Sequence, residues 1–398
     1  MIPEGWKTFK LNEITSKIGD GLHGTPIYDE MGDYYFINGS NLVNGKIELN
    51  TNTKRVSYNE FCKYEKELSE KTVLLGINGT IGNMALYNNE KCILGKSAAY
   101  LNVKENFDKG FLKYVLLNDH FQKYIKNNAS GTTIKNVGLA LLREYEFQAP
   151  VNKIEQSRIA SILSSLDDKI ELNLQMNKTL ESIAQAIFKE WFVDFRFPGF
   201  DGELVDGLPK GWKKGVLRDI CSNIKKSYDP KRAIVDSNYI GLEHIPRKNI
   251  SLMTWGLSSE IDSQKSIFMI GDVLFGKLRP YFHKVVFAPF NGICSTDILV
   301  IRGNENYFKY YSLLYLSSNE CIQYANSYSD GTRMPRVNWT SLSKFPVTIP
   351  SEKVLLQFQN IIHPYIERMK NNIFENISLI QLRDTLLPKL MTGKIKVQ

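Results

Sequence analysis

The sequence predicts an α+β chain built as a pseudo-two-fold tandem repeat: two similar mixed domains separated by two long antiparallel coiled-coil helices. Three observations carry this. A motif near the N-terminus returns past the middle of the chain, each copy opens with β-rich runs punctuated by Gly and Asn, and each closes on a long heptad stretch.

Residues 3–14 read PEGWKTFKLNEI and residues 208–220 read LPKGWKKGVLRDI. Pro3, Gly5, Trp6, Lys7, Leu11 and Ile14 recur as Pro209, Gly211, Trp212, Lys213, Leu217 and Ile220, at an offset of 206. VLLG at 73–76 returns as VLFG at 273–276, and Gly131, Thr132, Val137, Leu142 and Pro150 return as Gly331, Thr332, Val337, Leu342 and Pro350, at an offset of 200. The drift is that of loops gaining or losing length. A repeat of about 200 residues is too long for a solenoid unit and reads as a domain. The boundaries expected are 1–151 and 201–350 for the domains, and 152–200 and 351–398 for the helical segments.

Within the first domain the strand candidates are YYFING (34–39), TVLLGING (72–79) and AAYLNV (98–103). In the second they are SIFMIGDVLFG (266–276) and GICSTDILVIR (292–302). One helix is expected in each, around 108–127 and 306–325. From 152 to 195 there is neither Pro nor Gly, and Ile159, Leu163, Leu166 and Ile170, then Leu180, Ala184, Ile187 and Trp191, step by four and three. Asn173 and Asn177 fall on the seam between those runs, and FPGF at 197–200 ends the helix. The second helix, about 352–387, carries Ile362, Ile366, Met369, Ile373 and Asn376 in register, becomes untidy through Leu379, Leu382 and Leu386, and stops or kinks at Pro388. Helices of this length cannot bury their stripes against their own small domains, so they are expected to pack on each other, giving a dumbbell. Packed antiparallel, Asn177 and Asn376 either form a buried pair that fixes register or face solvent at a frayed stretch.

Composition is that of an ordinary globular chain, 43% hydrophobic and 23% charged. No signal-peptide core and no run of 18 uncharged apolar residues is present, and the five cysteines are scattered. A cytoplasmic protein with free thiols and no zinc site is expected. Net charge is +8, and residues 208–350 hold 19 basic against 11 acidic side chains, while residues 1–150 hold 18 against 17. The basic module points to a polyanion such as DNA, or to a merely solvated surface.

Catalytic motifs fail individually. LGKS at 94–97 has Glu90 where a phosphate-binding loop needs Gly, and GINGTIG at 76–82 lacks the dinucleotide spacing. The histidines His23, His120, His244, His283 and His363 form no close pair, and there is no G-x-S-x-G and no Asn-Pro-Pro- or Asp-Pro-Pro-aromatic tetrapeptide.

The repeated P-x-G-W-K opening, the V-L-[LF]-G strand, the G-T…V…P segment and the heptad helix resemble the specificity subunit of type I restriction–modification systems. GDGLHGTP (19–26), GDVLFGKLRPYFHKV (271–285), GICSTD (292–297), GTRMPRV (331–337), IFKEWFVDFRF (187–197) and LPKLMTGKI (387–395) sharpen the likeness. The resemblance implies two target-recognition domains, each reading one half of a split double-stranded DNA site. It implies helices that set the unspecified gap and dock two modification subunits, with half-sites one or two helical turns apart, about 34–70 Å. The chain itself would bind no cofactor and carry no catalysis. S-adenosylmethionine belongs to the modification subunits, ATP and Mg to the restriction subunit, and no membrane is involved.

Base edges and phosphates are contacted by Arg, Lys, Asn, Gln, Ser, Thr and Tyr among others. Candidates in the second domain are Lys277, Arg279, Tyr281 and Lys284; Arg333 and Arg336; Lys225, Lys226, Lys231 and Arg232; and His244 with Glu243, Arg247 and Lys248. For Arg279 and Arg333 the other reading is an ion pair holding a loop. In the first domain Asp20, His23, Thr25, Asn38, Ser40, Asn41, Thr132, Thr133 and Lys135 are candidates, with Asp20, His23 and Thr25 also readable as turn caps. Lys96 and Ser97 align with Thr296 and Asp297, a position expected to face the groove in both copies, which adds Lys96 and Thr296 to the DNA-binding candidates. Trp191, Phe192 and Phe195 offer either a patch for a partner helix or packing against the chain's own domains. A scaffold spacing two modules that bind something other than DNA, and a self-contained methyltransferase, are the competing readings.

Overall fold

A computed structural model describes residues 2–43, 45–131, 133–229, 237–260 and 263–397. Contacts divide the chain into two units, Met1–Asp168 with Leu379–Gln398, and Lys169–Ser378.

The first unit is closed by its own ends: Trp6–Lys10 pairs antiparallel with Glu146–Pro150. An antiparallel sheet runs in the order Thr15–Asp20, Ala98–Val103, Thr72–Gly76, Met84–Leu86. A second sheet holds the parallel pair Tyr34–Ile37 and Cys92–Leu94. The second unit repeats each feature. Lys213–Val216 pairs with Pro346–Ile349. Its antiparallel sheet runs Cys221–Asn223, Ile298–Gly303, Val273–Gly276, Val285–Phe287. Asn238–Ile240 and Gly292–Cys294 form its parallel pair. Repetition of strand order and direction is the fold-level counterpart of the sequence repeat.

The unbroken apolar runs VLLG and VLFG follow from sheets covered on both faces. Val73 and Leu75 enter the cluster that also holds Phe111 and Leu163, while Leu74 enters another with Ile37 and Tyr100. In the second unit Val273 and Phe275 join Tyr311 and Phe358, and Leu274 joins Ile240 and Phe268. Alternate residues of one strand thus serve two cores, the period-two rule at work.

The helix expected over 108–127 is two, Lys109–Leu117 and Asp119–Asn128. Asn118 breaks it, its side chain accepting from the His120 N–H at 2.9 Å. Likewise 306–325 divides into a 3-10 turn at Asn306–Phe308 and helices Lys309–Leu316 and Asn319–Ser327, with Ser318 capping the last through the Cys321 N–H.

The long helices are Lys153–Phe192, 40 residues, and Glu352–Leu390, 39 residues. The first ends before the expected FPGF stop. The second runs through Pro364 as well as Pro388, each forfeiting one backbone hydrogen bond. The seam is not purely helix on helix. Ile159 and Leu163 bury in the first domain's core, Leu390 and Met391 in the same core, and Ala184 and Trp191 in the second domain's. Leu166 and Ile170 are half-buried; Leu180 and Ile187 pack at the edge of the second core. Ile362, Ile366, Met369 and Ile373 are buried. A helix that grows directly out of a domain has that domain's surface available to its first and last turns, which is why the stripe divides. Trp191 and Phe192 are buried in this way and Phe195 packs on Trp212, so the patch for a partner helix is replaced by packing within the unit.

The expected Asn177–Asn376 pair is two different pairs. Asn173 Nδ2 donates to Asn376 Oδ1 at 2.9 Å, and Asn372 Nδ2 donates to Asn177 Oδ1 at 2.8 Å. Asn376 also donates to the Ile170 carbonyl and Asn177 to the Met369 carbonyl, both at 3.3 Å. Asn173 and Asn372 are 199 residues apart, as are Asn177 and Asn376, and Ile170 and Met369. The two pairs are therefore one interaction made twice, in an antiparallel register that places each Asn opposite its counterpart's neighbour. All four are buried. Asn372 Oδ1 has no partner. Asn177→Ala would strip Asn372 of its remaining acceptor and is expected to lower stability by about 2–3 kcal/mol. Replacing Asn177 and Asn372 together by Leu should recover most of that loss in chemical denaturation, because no buried polar group is then left unmatched.

Candidate nucleic-acid interface

In each unit three loops at the ends of the central strands are laced by the same backbone hydrogen bonds. In the first, Ile77 N donates to Ser97 O at 2.9 Å, Val137 N to Ile77 O at 2.8 Å, and Gly79 N to Lys135 O at 3.4 Å. Ser130 and Asn136 exchange two bonds, 2.9 and 2.7 Å. In the second, Lys277 N donates to Asp297 O and Val337 N to Lys277 O, both at 3.0 Å, and Arg279 N to Pro335 O at 2.7 Å. Asp330 and Arg336 exchange two bonds at 2.9 Å. Each participant lies 200 residues from its counterpart.

The side chains on this shared frame differ in kind. In the second unit Arg336 Nε lies 3.2 Å from Asp297 Oδ1, across two loops. The guanidinium carbons of Arg247 and Arg279 sit 3.9 and 5.9 Å from the Phe282 ring centroid, within cation–π reach. Arg279 also points a nitrogen at the Arg333 carbonyl, 3.5 Å away. Arg333, Tyr281, Thr296, Arg247 and Lys248 are exposed, and Lys277 is half-buried. In the first unit the corresponding loops carry amides and hydroxyls, with Lys96 and Lys135 as their cations. Asn78 donates to Asn136 Oδ1 at 3.3 Å, and Ser97 Oγ bridges Asn38 Oδ1 and the Gly39 N–H, both at 2.9 Å. Lys96 and Lys135 are exposed and form no ion pair among the described residues.

Arg279 has φ +50, a left-handed conformation taken by Gly79 (φ +73) in the first unit. Lys248 and His283 share it, both with φ +52. An L side chain there costs about 1–2 kcal/mol, and such strain gathers where a loop is held for a purpose.

The remaining candidates divide. His23 bonds Asp20 Oδ2 at 2.6 Å beside exposed Thr25, and Leu22 N donates to Leu94 O, which seats this segment next to the turn bearing Lys96. Asn41 is committed to its own loop, accepting from Asn38 N and donating to Glu48 O. His244 Nδ1 accepts from Gly241 N at 2.9 Å. Lys284 donates to the Leu242 carbonyl, and burial together with Arg247 holds its ammonium below the usual pKa. Lys225 and Lys226 are exposed on segment 224–226, which none of these bonds joins to the loop cluster. Thr132, Lys231 and Arg232 lie outside the described residues.

Asn78 and Asn136 are not among the residues the sequence singles out, and the ion pair of Asp297 with Arg336 is not foreseen by their spacing. Asn78 sits in GINGTIG, read as turn glycines; its equivalence to the run after VLFG was the available clue. Among the described residues no cluster of three metal-ligating side chains occurs, and no helix is long and apolar enough to cross a membrane.

A family model described as the type I restriction modification DNA specificity domain matches residues 3–182 and again 209–381. The chain belongs to this family. As a tandem specificity-domain protein it serves recognition of DNA sequence. Among its relatives, the type I restriction enzyme MjaIX specificity subunit of Methanocaldococcus jannaschii is 26% identical, covering 100% of this chain and 95% of that one. The EcoDI specificity subunit of Escherichia coli is 24% identical, covering 100% and 90%. The solved S subunit of a type I restriction-modification system from M. genitalium shares the fold, with TM-score 0.61 and 17% identity over 97% of this chain and 96% of that one.

Proposed function

We propose that this specificity-domain protein directs a type I restriction–modification complex to a two-part, asymmetric site in double-stranded DNA. Domain 1–151 reads one half-site and domain 201–350 the other. The long helices set the gap and dock two modification subunits. The chain performs no chemistry itself: S-adenosylmethionine is held by the modification subunits, and ATP and Mg by a restriction subunit. One observation carries this reading. The same hydrogen-bonded loop frame occurs twice, dressed once with amides, hydroxyls and two lysines and once with arginines, which suits one docking geometry and two unlike base sequences.

The helices supply the test. One heptad inserted at facing points, after Asn177 and before Asn372, preserves the seam and adds about 10 Å, or about three base pairs. Four extra residues in 160–185 alone would shift one helix against the other. A methylation map of the matched variant is expected to show a longer gap between unchanged half-sites; an unchanged gap would remove the helices from the role of ruler.

Arg279 is best probed as Arg279→Gly, since Gly accepts the left-handed backbone and only the side chain is lost. Loss of discrimination worth about 1–3 kcal/mol at the second half-site alone marks a base contact, while weakening that is uniform over sequences, with a shallower salt dependence, marks a phosphate contact.

A further inference from the structure

Each hairpin loop of the frame, 77–82 and 277–283, is also tied to the junction between the two short helices of its unit, and the two ties are built differently. In the first unit Gln122, on Asp119–Asn128, donates to the Gly82 carbonyl at 3.0 Å and to the Leu116 carbonyl at 2.8 Å. In the second, His283 Nε2 donates to the Ser317 carbonyl at 2.9 Å, and Ser317 Oγ accepts from Gln185 of the long helix at 2.8 Å.

Strand register makes Gly82 and His283 the same position. Gly76 N donates to Asn83 O, the next residue, and Gly276 N to Lys284 O, again the next. Both positions are left-handed, with φ +90 and +52. A Cβ on Gly82 would stand 2.2 Å from Gln122 Oε1, so the glycine leaves room for the glutamine. The residue 200 positions after Gln122 is Ile322, buried and unable to donate, and there the loop supplies the donor itself. Donor and space have changed sides while the bridge persists. A bridge kept by unrelated side chains is under a constraint on the loop's position, not on the residue.

We infer that Gln122 and His283 are positioning residues for DNA recognition, each fixing the hairpin loop that faces its own half-site. This rests on the two-half-site reading above. The loops carry Asn78 in one unit and Lys277, Arg279 and Tyr281 in the other, and an untethered loop loses the alignment that base-edge hydrogen bonds require.

The test uses the full chain assembled with its modification subunits. Long-read methylation mapping first defines the two half-sites. Rates are then compared on cognate DNA and on DNA with one base changed in either half. Gln122→Leu is expected to lower discrimination at one half-site on the order of tenfold, and His283→Gly at the other only. Because Gly is at home at φ +52, the second change removes the bridge without adding strain. Adding Ile322→Gln to His283→Gly transplants the first unit's solution and is expected to restore most of the discrimination, a rescue that lost packing would not show. Equal loss at both half-sites, no loss, or no rescue would overturn the inference. If the unaltered complex marks no two-part motif, the reading itself fails and the inference with it; a two-part motif that the variants leave untouched removes the inference alone.

Discussion

Arg302→Ala is expected to destabilise the second unit by about 3 kcal/mol, seen as a lower midpoint in chemical denaturation at neutral pH. Arg302 grips Asp272 with two nitrogens, 2.6 and 2.9 Å from its carboxylate oxygens, and the Asp272 side chain is only 2% exposed. The Met269 N–H donates to the same carboxylate at 2.7 Å. Without the guanidinium a buried charge keeps one backbone donor and only the longer-range attraction of the Lys309 ammonium. The first unit shows how the position can be filled without charge. Thr72 and Asn102, each 200 residues before Asp272 and Arg302, meet through Thr72 Oγ1 and Asn102 Oδ1 at 2.7 Å, and the Ser69 N–H donates to Thr72 Oγ1 as the Met269 N–H does to Asp272. The double variant Asp272→Thr with Arg302→Asn should therefore recover most of the stability that Arg302→Ala loses. A double variant no better than the single one would show that the two sites are not interchangeable.

Glu181→Gln should make the protein more stable above neutral pH by about 2 kcal/mol, with no gain near pH 4. Glu181 lies on the first long helix, and burial pushes its carboxyl up to about 7, only partly offset by the Ile250 N–H donated at 3.1 Å. A carboxyl whose folded pKa is raised holds its proton longer than in the unfolded chain. Its contribution is most favourable below the unfolded value and is lost as pH rises towards 7. Glutamine stays neutral and keeps an oxygen for Ile250. The two stability-against-pH curves are expected to coincide in acid and separate between about pH 5 and 7. Parallel curves would mean that Glu181 titrates normally.

Much of this architecture can be read from spacing alone, because duplicated domains preserve glycine turns, covered strands and seam residues at one offset. Gly131 and Gly331, or VLLG and VLFG, announce shared geometry before any contact is known. What spacing cannot reveal is how elements meet. The break at Asn118 hides inside an apolar rhythm, since an Asn side chain caps a new helix only once the chain turns there. The asparagine pairing depends on how far one helix slides along the other. The partners lie on different helices of the second unit, so the pairing of Asn372 with Asn177 is not legible in either helix alone. In the candidate site the exposed cations stand out in sequence as Arg, Lys and Gly neighbours. The Arg336–Asp297 pair joins residues 39 apart, and the Asn78–Asn136 contact joins residues 58 apart; no local pattern encodes either.

The reading of one domain per half-site is tested most directly by replacing residues 1–151 with the matching domain of another family member and mapping methylation genome-wide in the assembled complex. One half of the motif is expected to change while the other half and the gap stay as they were. A motif that changes in both halves, or a single contiguous motif, would contradict it.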